Sequence, residues 1–369
     1  MKIIAPSVEI LRTGLEKEMI IPEQFIEKVG RTCYKSEDKI TDDSAAKFVS
    51  NLIKRGHEAM IEHWSLIFKT DSHWYEEILA DYDILLHSCA FDLKEPLRPY
   101  LRFTDQTMED GEVRCIVSGN MRAWRDYAKA CIEGFGFMPQ YMYGMIKNYP
   151  LFFPEYMDYV PVHINNYILM PISARELVGD KERGVHMDVT VKFVCDRGVT
   201  HEMVRHRVAS FAQESTRYCN YGLDKFGNEI TVIRPSWCDE GSNVYNIWLN
   251  GCLENEETYF AMLSEGASPQ EARSVLPNSL KTEIIVTMTL NGWDHFFGLR
   301  CDSHAHPDMQ EVANMAEFLF DYEVFAELDE TFDELDETVK PLTDITPGVS
   351  ECDEDFLFRV QSAINDSIN

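Results

Sequence analysis

The chain reads as a mixed protein of helices and strands. Three observations predict this: apolar residues recur at helical spacing in some segments, they alternate in others, and capping or turn residues punctuate both kinds. With 369 residues, the chain has room for one large domain or two to three modest ones, and for a substantial core.

The elements follow in order. Pro22 to Cys33 reads as a helix with proline at an early position and Phe25, Ile26 and Val29 on one side. Ala45, Phe48, Val49, Leu52 and Ile53 keep helical spacing, and Gly56 stands where a helix-terminating glycine belongs. Trp64, Leu66 and Phe68 alternate with Ser65, Ile67 and Lys69, which predicts a strand. A helix from Trp74 to Leu86 follows, then Leu101–Thr104 and Val113–Val117 flank Glu109-Asp110-Gly111-Glu112 as a hairpin. The segment from Ser118 predicts a helix ending near Gly134.

From His186 the pattern sharpens. Val189, Val191, Phe193 and Cys195 predict a strand, Asp196-Arg197-Gly198 breaks it, and THEMVRHR opens a short helix. Val244 to Ser264 reads as a helix, Ser268-Pro269-Gln270-Glu271 as a capping box, and Glu283 to Leu290 as a strand. Asn291 is placed to cap the next helix, and Pro307 towards Phe325 predicts a last long one. The stretch after it is acidic and solvated. No internal repeat is visible along the chain.

Charge excludes one class of function. Lys and Arg number 34 against 63 Asp and Glu, a formal net charge of −29, so a general polyanion binder is disfavoured. The start of the chain shows no signal peptide, and the longest uncharged stretch, Tyr159 to Ala174, is broken by prolines and asparagines. The expectation is a soluble, cytoplasmic protein. The ten cysteines are scattered without a CxxC pair, which predicts buried free thiols rather than a disulfide framework or a zinc cluster.

Against this acidic background, Arg205-His206-Arg207 and Arg217 form an island of positive charge, with Ser215 between them. Arginine offers a planar fork of donors that matches phosphate, and a surface ion-pair network is the competing reading. Arg273 and Arg300 follow largely apolar helical faces and suit either an inward-facing ligand contact or a surface role. His201 and His206 are five apart, so they do not share a helical face and cannot form the zinc-peptidase pair. His304-Ala305-His306 reads better as hydrogen-bonded histidines near a helix start than as metal ligands. Dinucleotide-binding, P-loop and nucleophile-elbow glycine motifs are absent from the sequence.

THEMVRHRVASFAQESTRY closely resembles the Arg-His-Arg, seven residues, Ser signature of the flavin-dependent thymidylate synthases. GHEAMIEH, EARSVLP and HFFGLRCDSHAH resemble three further elements of that family, in the family's order. The resemblance implies an α+β fold, a mainly antiparallel sheet flanked by helices, here with a large mixed insertion. It implies a flavin- and nucleotide-binding core at 1–70 and 186–326, an insertion at 71–185, and an acidic tail at 327–369. It also implies a homotetramer with sites between subunits, and no nucleic-acid or membrane partner.

The implied activity is conversion of dUMP to dTMP, with the methylene group from methylene-tetrahydrofolate and reducing equivalents from NADPH through FAD. By matching position, Arg205, His206, Arg207, His57, Gln213, Asn291 and His295 are expected at the cofactor. Glu202, Arg205, Gln213, Glu214, Ser215, Arg217, Arg273 and Arg300 are expected at the nucleotide, with Arg300 favouring loss of the pyrimidine N3 proton. Ala212-Gln213 stands where Asn-Glu is frequent, Glu202 where Gln is frequent, Ala59 where a small hydroxyl residue is common, and HAH replaces HAQ. The departures at Ala212-Gln213 and Glu202 support a rival reading, a non-catalytic nucleotide-binding or regulatory homologue.

Overall fold

The computed structural model describes residues 1–328 apart from 19, 88–99, 109–110, 162–167 and 224–225. The acidic tail from 329 onward, Cys89, Cys352 and the centre of the expected hairpin turn lie outside the described residues. The alternating segments become strands β1 (Lys2–Ile4), β2 (Ser7–Arg12), β3 (Ser65–Thr70), β4 (Leu101–Thr107), β5 (Val113–Asn120), β6 (Met170–Ile172), β7 (Asp188–Asp196), β8 (Ser210–Gln213), β9 (Thr231–Ile233) and β10 (Lys281–Thr289). The helical segments become α1 (Pro22–Tyr34), α2 (Ser44–Lys54), α3 (Ser72–His87), α4 (Met121–Phe135), α5 (Tyr143–Asn148), α6 (Gly179–His186), α7 (Arg197–Met203), α8 (Asn243–Ser264), α9 (Pro269–Ala272), α10 (Leu290–Arg300) and α11 (Pro307–Leu319).

Two four-stranded sheets organise these elements, in the orders β2-β7-β10-β8 and β4-β5-β3-β6, and every pairing within them is antiparallel. A short parallel pair, β1 with β9, stands apart. With helices packed against the sheets, the fold is α+β. The segment 71–185 is woven into this architecture, because β4, β5 and β6 form one sheet with β3.

β3 shows why burial differs from a simple one-faced reading. Leu66 and Phe68 join one core with Trp124 and Tyr127, whereas Ile67 points into the other with Val191 and Phe193. A strand enclosed on both faces loses the apolar-polar contrast on which alternation depends.

The helix ends follow local chemistry. Asp196 ends β7, as expected, and caps α7, accepting from the Val199 N–H at 2.7 Å, so the helix starts at Arg197. Ser268 and Glu271 close the expected capping box. The expectation that Asn291 caps α10 is corrected: Thr289 does so, accepting from Gly292 N–H at 3.1 Å, and Asn291 already lies inside the helix. Beneath α10, Trp293 packs on Phe193, Phe296, Phe297 and Phe320 and donates its indole N–H to Val189 O at 3.1 Å. Burying such a ring contributes roughly 2–3 kcal/mol and fixes the helix that ends at Arg300. Among the described residues no helix is long and apolar enough to cross a membrane, and the described cysteines are free thiols, most of them buried.

Candidate active site

α7 ends at Met203, and a hydrogen-bonded turn follows it at once. Arg205 N–H donates to Glu202 O at 3.1 Å and His206 N–H to Met203 O at 3.0 Å. The turn pushes Arg205 and Arg207 into solvent and folds His206 inward, where it is 7% exposed. Arginines just past a helix C-terminus also complement the helix dipole. Neither Arg205 nor Arg207 makes an ion pair with a described residue, although carboxylates dominate the chain.

Arg300 reaches this turn from the end of α10. Its Nη1 meets Glu202 Oε2 at 2.7 Å, its Nη2 donates to Glu202 O at 3.1 Å, and its Nε donates to His206 Nε2 at 2.8 Å. His206 therefore accepts on Nε2 and is neutral. Burial, then the charges of Arg300 and His295, lower its pKa to about 4. Its ring rests 4.8 Å from Phe296 and 5.9 Å from His295. The structure thus brings together Glu202, His206, His295 and Arg300, with Arg205 and Arg207 beside them in sequence.

A second group gathers Ser215, Arg217 and Arg273. Ser215 N–H donates to Cys33 O at 3.0 Å, and Tyr218 and Cys219 N–H donate back to Ser215 O at 3.0 Å, making a tight turn after β8. Arg217 Nε donates to Gln270 Oε1 at 3.1 Å, and Arg273 Nη1 approaches Thr216 Oγ1 at 3.4 Å. Among the described residues no hydrogen bond or ion pair joins this group to the Arg300 group.

The remaining expected residues take different surroundings. Gln213 turns its amide to Thr200 Oγ1 at 2.9 Å, and His57 is exposed ahead of the short helical turn Glu58–His63. Glu214 is 2% exposed and ion-paired with Lys281 at 3.0 Å, so its carboxylate serves a buried network rather than the open surface. Burial opposes the charge on Glu283 in that network, but Lys281, Lys35 and Lys192 together hold its carboxyl far below the usual range. Asn291 lies in a cleft of about 210 Å³ between the two sheets, its amide against Gly184, where a side chain would collide with it. His306 caps α11 through Asp308 N–H, as expected of a histidine near a helix start.

Thr216, Gln270, Lys281 and Glu283 contact the expected site residues without having been singled out in the sequence. Only Gln270 carried a signal, its place in the capping box; the others are ordinary strand or turn residues.

The thymidylate synthase complementing protein family matches residues 179–321, which contain both groups. The chain is 39% identical over 119 residues to a protein of Pyrococcus furiosus named flavin-dependent thymidylate synthase, covering 32% of this chain and 48% of that one. Proteins of the same name from Geobacter sulfurreducens and Corynebacterium efficiens are 35% and 37% identical over 117 and 128 residues, each alignment covering 32% of this chain and 49% and 50% of theirs. The chain thus spans about half the length of the curated relatives it matches. Residues 179–321, with the arginine-bearing turn and the helix that carries Arg300, are the part of this chain that is similar to the thymidylate synthase complementing protein family.

Proposed function

We propose that this protein is a cytoplasmic flavin-dependent thymidylate synthase, converting dUMP to dTMP with methylene-tetrahydrofolate, FAD and NADPH. The observation that carries the reading is the Arg300 cluster: a guanidinium fixed at three points beside a neutral histidine and two arginines that pair with no described carboxylate, inside the matched segment. The residues suit an anionic dinucleotide, because Arg205 and Arg207 are exposed cations free of described carboxylates. FAD, when bound, would carry the reducing equivalents from NADPH.

The chain's own residues have separable tasks. Arg205 and Arg207 bind phosphate oxygens, and Ser215, Arg217 and Arg273 form a second anion-binding group for the nucleotide. Arg300 sits beside the pyrimidine imide and favours its N3-deprotonated form, since a fixed cation stabilises the adjacent anion. His206 holds the Arg300 guanidinium in plane by accepting from its Nε. No hydrogen bond or ion pair among the described residues joins the two cationic groups, which is compatible with a site that takes one group from each of two subunits of a homotetramer.

The test is a visible spectrum of the purified protein together with tritium release from 5-tritiated dUMP. Flavin colour and NADPH- and folate-dependent release are expected. A protein that binds no added FAD and releases no tritium is not this enzyme, and FAD or nucleotide binding without turnover identifies a regulatory homologue instead.

A further inference from the structure

The two four-stranded sheets share one topology. An edge strand, β4 or β8, pairs with β5 or β10, that strand with β3 or β7, and a fourth, β6 or β2, completes the sheet. Chain order agrees: β3, α3, β4, β5, α4 against β7, α7, β8, β10, α10, with β9, α8 and α9 added in the second run. The fourth strands are exchanged. β2 precedes β3 yet pairs with β7, and β6 precedes β7 yet pairs with β3.

Register makes the correspondence residue by residue. Ser65 faces Asn120 as Asp188 faces Thr289, and aligning these pairs places His63 on His186, Ser118 on Thr287, Arg102 on Ser210 and Trp124 on Trp293. Three observations outside the alignment agree with it. Asn120 caps α4 and Thr289 caps α10. Trp124 and Trp293 are 0% and 1% exposed. His63 Nδ1 lies 2.8 Å from Thr287 Oγ1, while His186 Nδ1 lies 2.7 Å from Ser118 Oγ. Each histidine thus bonds the other unit at the same position, which requires an approximate twofold axis between them. Arg102 spans that axis, bonding Ser65 at 3.1 Å and its counterpart Asp188 at 2.6 Å.

The copies differ where the chemistry lies. Cys131 stands at the position of Arg300, and α3 runs on to His87 where the second unit turns out into Arg205-His206-Arg207. The family match begins only at residue 179. The cleft that holds Asn291 lies on the pseudo-twofold axis, walled by Tyr100, Arg102 and Asn120 from one side and by their counterparts Val208, Ser210 and Thr289 from the other.

We infer that residues 62–131 are a degenerate second copy of the unit 185–300, acting as a partner fixed in cis whose Tyr100, Arg102 and Asn120 wall one ring-sized site for a flat heterocycle. The inference rests on the flavin reading above, since Asn291 and the residues just after Arg207 form the opposite wall. About 210 Å³ admits one ring system and not a whole dinucleotide. The wall brings polar groups, Arg102, Asn120 and Glu62, to one otherwise mixed cleft; Arg102 already bonds Asp188 and Ser65, and Asn120 Oδ1 caps α4, which leaves the Asn120 amide N–H groups to meet a ring carbonyl. Arg102 Nε is buried without a hydrogen-bond partner among the described residues.

The experiment is FAD titration by flavin fluorescence on the full chain and on Tyr100→Trp, which fills the cleft from the degenerate copy. One FAD per chain is expected, with affinity reduced at least tenfold in the variant and dUMP affinity within twofold of the parent. Val208→Trp, at the counterpart position, is the second variant and must show the same loss; a thermal melt establishes which variants are folded. If the parent binds FAD and a folded variant binds it equally well, the cis-partner site is wrong and the flavin reading stands. If the parent binds two FAD per chain, the degenerate copy is not degenerate. If the parent binds none, the flavin reading itself fails and takes this inference with it.

Discussion

Arg300 donates its Nε–H to Nε2 of His206 across 2.8 Å, so a buried histidine serves as a neutral acceptor for a guanidinium. The proton of the ring must then sit on Nδ1, and protonating Nε2 would expel Arg300 from its seat. His206 is therefore expected to stay neutral down to about pH 4, the value to which burial and Arg300 lower it. Imidazole NMR across pH 4–8 checks this; a midpoint above 6 would show that the bond does not exist in solution.

Replacing Arg300 by Ala removes the cation without touching the buried aromatic cluster below it. Turnover is expected to fall by about 10²–10³-fold, the range for removing a preorganised charge-stabilising group. Flavin binding is expected to persist. Loss of flavin with unchanged dUMP affinity would contradict the assignment.

Glu202→Gln removes the carboxylate that neutralises Arg300 while keeping a hydrogen-bonding amide. A partly exposed ion pair is worth little, so dUMP is expected to bind only about two- to fivefold tighter, with a steeper salt dependence. Calorimetric titration at two ionic strengths reads both quantities; weaker binding would mean that Glu202 itself contacts the nucleotide.

Lys281 lies half-buried between the buried carboxylates of Glu214 and Glu283. Lys281→Met leaves two buried carboxylates without their shared cation, and about 3–5 kcal/mol of stability is expected to be lost at neutral pH. Glu283 has a depressed folded-state pKa, so its contribution is full above its ordinary value of 4.5 and is lost progressively as pH falls from there towards the folded value. Urea denaturation of parent and variant from pH 7 to pH 3 should therefore show the difference between them shrinking at the acid end.

His63 and His186 are 0% exposed, and burial lowers each to about 3 from the usual 6.5. The unfolded chain takes up protons that the folded one refuses, so stability should decline as pH drops from about 6.5 towards 3, by up to about 1.4 kcal/mol per pH unit for each histidine. Above that window neither contributes a pH dependence. The double variant His63→Gln, His186→Gln should lower stability at neutral pH yet flatten the slope below 6.5; an unchanged slope would place the acid sensitivity elsewhere.

Local chemistry was the legible part of this protein. The capping box at Ser268, the helices at Pro22 and Pro307, the alternating strand at Asp188–Asp196 and the arginine island from Arg205 to Arg217 each declare themselves within a few residues, because a cap, a helical face or a charge cluster is a short-range pattern. The start of α10 was misplaced by two residues because Thr289 and Asn291 are both competent caps, and only the strand register of β10 shows which one ends the extended chain.

What the sequence by itself determined was the type of most elements and the presence of a cationic cluster inside an acidic chain. What the tertiary structure decided was which of these residues meet. The Glu202–Arg300–His206 contact, the buried Lys281 network and the crossed histidine bonds each join residues far apart in sequence. The paired units were invisible along the chain for a related reason. A strand position is constrained chiefly to be apolar or polar, so two copies can keep every register contact while sharing few identities, such as His63 with His186 and Trp124 with Trp293. Their relationship resides in hydrogen-bond geometry, which exists only once the two sheets are folded against one another.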